Sequence, residues 1–160
     1  MVFGEAPGQM EDKLGRPFTG EAGRDLDTLL RYAGLDRADV AVSNVVHCRP
    51  RGNRTPTKAE VTFCAERWAE AELALVRPEV VVTVGVPAAQ YFLPHITSLD
   101  QAARIPTRVE RPWGSFILFP TYHPAAMLHD PEHMTHQVWW GFKRLGEFLK
   151  SEGLMDPPFG

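Results

Sequence analysis

Apolar residues fall along this chain in two rhythms. Four short apolar runs have strand length: residues 1–4, "DVAVSNVV" (39–46), "EVVVTVG" (79–85) and "SFILFPTY" (115–122); stretches with helical spacing separate them. The third run carries four valines in seven residues. It leaves no wet face, which predicts a central parallel strand covered on both sides. The first helix is predicted over residues 22–33, with Leu26, Leu29, Leu30 and Ala33 on one face and Gly34 as its stop. The second begins at Thr57, where Thr57 and Glu60 have capping-box spacing, and its apolar face reads Val61, Cys64, Trp68, Ala71, Leu75. A short helix follows Gly85, through residues 88–92. The last covers residues 135–150 with Val138, Phe142, Leu145 and Leu149 inward.

Strand and helix alternate, which predicts right-handed crossovers and an α/β fold: a three-layer α/β/α sandwich around a four-stranded parallel sheet. The 160 residues suit one domain, residues 1–153, followed by a loose tail at 154–160. In open sheets of this kind ligands bind beyond the carboxyl ends of the strands. That rule singles out residues 4–18, 44–54, 85–87 and 123–129.

Composition narrows the class. With 44% hydrophobic and 23% charged residues, disorder, collagen and coiled coil are excluded. No run of eighteen apolar residues and no basic-then-apolar leader is present, so the expectation is a cytoplasmic protein without a membrane anchor. A net charge of −3 argues against a globally basic binder of nucleic acid. A local patch is another matter. No acid occurs between Asp39 and Glu60, while "HCRPRGNRTPTK" supplies His47, Arg49, Arg51, Arg54 and Lys58, the right sign for phosphate. On spacing alone it is equally a solvated loop whose arginines pair with acids elsewhere. The two cysteines, Cys48 and Cys64, read by themselves as small buried hydrophobes.

The strand-end segments carry the candidate chemistry. "GEAPGQMEDKLGRPF" is glycine-rich but has neither a phosphate-loop ending nor dinucleotide spacing. A serine- and threonine-rich phosphate cradle is also missing, which sets aside a flavodoxin-like electron carrier. The glycines and prolines let the backbone approach a flat ligand, Glu5 and Glu11 bring carboxylates, and Phe18 brings a stackable ring, although a lone phenylalanine is more often core. Asn44 presents a donor and an acceptor side by side, matching the imide edge of a pyrimidine; standing alone it would be a turn-former. In "YHPAAMLHD", His123 precedes a proline, and Met127 and Leu128 form an exposed apolar pair before His129. Such a tip suits a wedge driven into a base stack.

These segments together resemble family 4 uracil-DNA glycosylases, the iron-sulfur type. "GEAPGQMEDKLGRPFTGEAG" is similar to that family's first motif, "NVVHCRPRGNRTPTKAEVTFC" to its second, with a cysteine sixteen positions after the first, and "HPAAMLH" to its last. The similarity spans nearly the whole chain. It implies a monofunctional hydrolase that flips uracil out of DNA and cleaves its N-glycosidic bond, leaving an abasic site. Phe18 would stack on the base, Asn44 read its N3 and O4 edge, and His123 meet the charge collecting on O2. Glu5 would orient water or stabilise the sugar cation, and Glu11 would exclude the methyl of thymine. Ala6 and Asn53 complete the substrate side. Arg49, Arg51, Arg54 and His129 would face DNA, with Met127 and Leu128 filling the gap left by the extruded nucleotide.

No lysine is among the pocket residues so assigned, so the expectation is hydrolysis without strand cleavage. Ala6 stands where better-known uracil glycosylases carry a water-activating aspartate. Ala125 replaces a serine, His129 an arginine and His47 a lysine of the family pattern. The resemblance also implies a 4Fe-4S cluster held by four cysteines. Cys48 and Cys64 match two of them; the other two precede the first strand in the family. The expectation is therefore either a lost N-terminal segment or a variant without the cluster, which the chemistry itself does not need. The expected partner is uracil-containing DNA, bound by a monomer. The competing reading is a uracil- or DNA-binding module that keeps the pocket and has lost turnover.

Overall fold

A computed structural model describes residues 1–155. The elements in chain order are β1 (Val2–Gly4), α1 (Gln9–Leu14), α2 (Glu21–Tyr32), β2 (Val42–Asn44), α3 (Lys58–Cys64), α4 (Glu70–Val76), β3 (Val80–Val84), α5 (Val86–Phe92), β4 (Thr107–Arg111), β5 (Gly114–Thr121), α6 (Ala126–His129) and α7 (Pro131–Ser151). The strands form one sheet in the order β2-β1-β3-β5-β4. β2, β1, β3 and β5 run parallel, with Val2 level with Val42 and Val82, and Val82 level with Phe119.

Two apolar layers cover the sheet. On one face Leu26, Leu29 and Leu30 of α2 and Val138, Phe142, Leu145 and Leu149 of α7 pack over Val2, Val82 and Phe119. On the other, Val61, Ala65, Ala69, Leu73 and Ala88 pack over Phe3, Val81 and Leu118. The three-layer α/β/α architecture is thus as the alternating pattern requires, and β3 is buried at all five positions.

The sheet has five strands rather than four. β4 is antiparallel to β5, joined to it through Pro112 and Trp113. Its sequence, TRVER, alternates in exposure but holds one apolar residue, too weak a signal to stand out in sequence. A second difference concerns the helical stretch after Thr57. The capping box is formed, with Glu60 N–H donating to Thr57 Oγ1 at 3.2 Å and Thr57 N–H to Glu60 at 2.9 Å. Beyond it the helix passes through a π turn at Ala65–Ala69 before α4. The wider turn rotates the chain less per residue, so the inward positions are Val61, Ala65, Ala69 and Leu73, four apart. Of the expected face, Cys64 is partly buried against the same layer, but Trp68, Ala71 and Leu75 point elsewhere: Trp68 is 48% and Leu75 86% exposed.

The first loop also holds the helix α1, which residues read as loop did not announce. Of the expected tail, residues 156–160 lie outside the described residues. Leu154 N–H donates to Leu149 O at 2.9 Å, and Met155 packs against the α2–α7 layer. No helix among the described residues is long and apolar enough to cross a membrane.

Candidate active site

Sheet order decides where a site can form. The chain leaves β1 toward β2 on one side and returns to β3 on the other, so the switch point lies between the carboxyl ends of β1 and β3. A cavity of about 860 Å³ opens there, its wall including Glu5 and Ala6 after β1, Gly85 to Pro87 after β3, and Tyr122 and His123 after β5. Asn53, Lys58 and His129 also line it. A second cavity of about 370 Å³, lined by Glu11, Asn44 and His47, opens on the β2 side.

Gly4 is next to Glu5, which lines the first cavity, and level with Asn44, which lines the second. A Cβ built on it would come 2.5 Å from the tip of the Phe18 ring and 2.6 Å from Asn44 Oδ1. The absent side chain therefore lets the ring and the amide converge over the backbone. Phe18 is 7% and Asn44 5% exposed. The Phe18 ring stacks on His123 at 5.6 Å between centroids with 25° between planes. That is the spacing of an offset aromatic pair, so the imidazole sits beside the phenyl. Phe18, Asn44 and His123, drawn from two loops and the end of β2, occupy one locus.

Local structure fixes each of them. Asn44 ends β2, level with Gly4. His123 follows β5 and its Nδ1 accepts the Ala125 N–H at 3.0 Å. Burial drives its pKa down to about 4 from the usual 6.5, the nearby Glu11 only partly opposing this. The ring is therefore neutral at pH 7 and, with Nδ1 accepting, its proton is on Nε2. Glu5 is half-buried, and desolvation holds its carboxyl above the usual carboxylate range.

Phe18 adopts a left-handed backbone, φ 51°, a conformation that costs a non-glycine residue about 1–2 kcal/mol. Its surroundings enforce it. Gly23, in the first turn of α2, approaches so closely that a Cβ there would overlap the Phe18 carbonyl. Arg37, in a short 3₁₀ turn after α2, donates to Pro17 O at 2.8 Å and Phe18 O at 3.3 Å, and pairs with Asp27 of α2 at 2.8 Å. Sequence reading missed Gly4, Gly23 and Arg37. The first two are visible only as glycines in "GEAPG" and "GEAG", and Arg37 acts on main-chain oxygens some twenty residues away.

The expected DNA face is less uniform. Arg54 makes a two-pronged pair with Glu60, at 2.9 and 2.7 Å, which pulls the Glu60 carboxyl down to about 2. The acid that ends the acid-free stretch thus neutralises its last arginine. Arg49 donates to Asn53 Oδ1 at 2.7 Å, while Arg51 is exposed in a 3₁₀ turn. Leu128 is 47% exposed at the tip of α6. Met127 is not the second half of an exposed pair: it is partly buried against the α2–α7 layer, because α6 turns it inward.

The two thiols share a neighbourhood, since His47 N–H donates to Cys64 Sγ at 3.2 Å and Cys48 is the next residue. Two cysteines supply half of a four-thiolate set, and among the described residues no group of three or more metal-ligating side chains comes together. The residues present do not fit a 4Fe-4S cluster by themselves.

Residues 1–143 match the family described as the uracil DNA glycosylase superfamily. The Type-4 uracil-DNA glycosylase of Archaeoglobus fulgidus is 40% identical over 153 residues, covering 92% of this chain and 75% of the relative. That of Thermotoga maritima is 37% identical over 157 residues, 96% of this chain and 79% of the relative. That of Saccharolobus solfataricus is 34% identical over 158 residues, 95% and 72%. With the strand-end cluster and these matches agreeing over most of its length, the chain belongs to the uracil-DNA glycosylase superfamily.

Proposed function

We propose that this protein removes uracil from DNA by hydrolysing the bond between the base and its sugar, leaving an abasic site. The observation that carries the reading is the meeting of Phe18 with Asn44 over Gly4 and with the His123 ring, beside a cavity that Glu5 and His123 line.

The base must first leave the duplex, at least cost where uracil is mispaired or single-stranded. Leu128, exposed on α6, is the wedge that occupies its place. In the pocket Phe18 offers the aromatic floor, Asn44 pairs with the N3 and O4 edge, and Glu11 stands where the 5-methyl of thymine would come. As the C1′–N1 bond breaks, the sugar becomes an oxocarbenium-like cation and the base an anion. The Nε2–H of neutral His123 donates to O2 as that charge appears, which favours the transition state over the ground state. A cationic imidazole would give up its proton instead, and burial prevents it. Glu5 faces the sugar, where its carboxylate stabilises the cation and orients water to C1′. Ala6 leaves room for that water. Arg49, Arg51 and Lys58 supply the charge for the backbone; Arg54 contributes once Glu60 is displaced. Cys48 and Cys64 are assigned no step, and no cluster takes part in this mechanism.

The protein acts in this reading as a monomeric cytoplasmic repair enzyme. The test is an oligonucleotide with a single uracil, incubated with the protein and treated with alkali. Cleavage at the uracil position, with none at a thymine control and none before alkali, is the expected result. Retained binding without a cut would overturn catalysis and leave a binding module.

A further inference from the structure

Phe18 is held in place from its main chain as well as through its ring. Its left-handed φ of 51° is uncommon for a bulky residue and persists only where the surroundings impose it. The Arg37 guanidinium provides much of that constraint: two of its nitrogens donate to consecutive carbonyls, Pro17 O and Phe18 O, and one also meets Asp27 Oδ1. The pair is partly buried, with about a third of each side chain exposed. Planar, rigid and always charged, a guanidinium can bind two adjacent carbonyls and a carboxylate at once; an ammonium cannot reproduce the fork. The far side of the same carbonyl is closed by Gly23. Arg37 itself reaches neither cavity.

We propose that Arg37 is a positioning residue for the base site: anchored by Asp27, it locks the Pro17–Phe18 carbonyls and so fixes the aromatic floor against Gly4, Asn44 and His123. This rests on the reading of the site as a uracil pocket. A misplacement of about 1 Å in such a floor costs on the order of a hundredfold in rate. The consequence is selective. Contacts to the DNA backbone come from other loops, so losing the lock weakens the grip on the base and leaves the grip on the strand.

The experiment compares wild type, Arg37→Ala, Arg37→Lys and Asp27→Asn by single-turnover excision, by product inhibition with free uracil, and by affinity for an abasic oligonucleotide. Arg37→Ala is expected to lower the rate on the order of a hundredfold and weaken uracil inhibition to a similar degree, with abasic-strand affinity within about twofold. Arg37→Lys, which keeps charge and bulk, should be folded and still clearly impaired, and Asp27→Asn should show the same pattern more weakly. Millimolar guanidinium should restore part of the Arg37→Ala rate. The proposal is overturned if Arg37→Lys matches wild type, or if Arg37→Ala loses uracil and abasic-strand affinity equally with no response to guanidinium. An inactive wild type would instead strike at the glycosylase reading itself, so the two failures are distinguishable.

Discussion

The cluster of Phe18, Asn44 and His123 and the arginine-bearing loop at residues 47–60 meet at one cavity, which His123 and Asn53 both line, yet they are held in opposite ways. In the cluster, each side chain is set by main chain: Gly4 beneath the ring and amide, the Ala125 N–H on His123, the Pro17 and Phe18 carbonyls gripped by Arg37. In the loop, side chains hold one another at the surface, Arg54 with Glu60 and Arg49 with Asn53. Exposed pairs of this sort contribute little to stability and are screened by salt. In the proposed mechanism, groups that must meet a transition state are fixed before substrate arrives, whereas groups that meet phosphate sit in water and exchange partners on contact.

The contrast can be broken most forcefully at Glu5. Glu5→Gln should lower the rate by about 10²–10⁴, while DNA affinity stays within a few-fold. Because burial raises the Glu5 pKa, its ionisation costs stability as the pH rises from the ordinary carboxylate value to that raised value, and the cost is complete above it. The same variant should therefore melt at a higher temperature at pH 7, and a lower melting temperature would count against a buried carboxylate. Wild-type activity should also show an acid limb above the usual carboxylate pKa, absent in the variant. Next comes Gly4→Ala, whose methyl would press on the Phe18 ring and the Asn44 amide. Excision should fall about a hundredfold with abasic-strand affinity retained; equal loss of both would mean that the cluster is not separable from the DNA face.

His123 supplies a third test. Its folded pKa of about 4 lies below the usual 6.5, so between these values the unfolded chain takes up a proton that the folded chain refuses. Stability should be fully present above pH 6.5 and decline toward pH 4, by on the order of 3 kcal/mol. His123→Asn should flatten that slope in chemical-denaturation curves, and an unchanged slope would place the acid sensitivity elsewhere. The smallest effect belongs to the loop. Glu60→Gln releases Arg54, so DNA should bind a few-fold more tightly at low salt with a steeper salt dependence, by about one phosphate contact. No change would show that Arg54 stays away from the strand.

How much of this was legible in sequence depended on whether the signal was local. The valines of β3 and the Val138–Leu149 face of α7 repeat at unmistakable periods, and the strand-end rule gathered Phe18, Asn44 and His123 into one crevice. The π turn was hidden because a four-residue repeat and a 3.6-residue repeat both pass through Val61, and only packing chooses between Ala65 and Cys64. β4 was hidden because Arg108, Glu110 and Arg111 mask its alternation. Met127 looked exposed beside Leu128, since a four-residue helix has no periodicity long enough to read. Arg37 left no trace, two of its three partners being carbonyls that every residue possesses.

β4 carries one further consequence. It lies at the margin of the sheet beyond β5, where a bare strand would present open donors and acceptors to any other chain. Arg108 and Glu110 stand outward on it and are mostly exposed, and charged side chains on an outermost strand discourage pairing with a second molecule. At the opposite margin β2 spans three residues, too short a template for stable docking. The molecule is thereby guarded on both flanks against the strand-to-strand association that leads to aggregation.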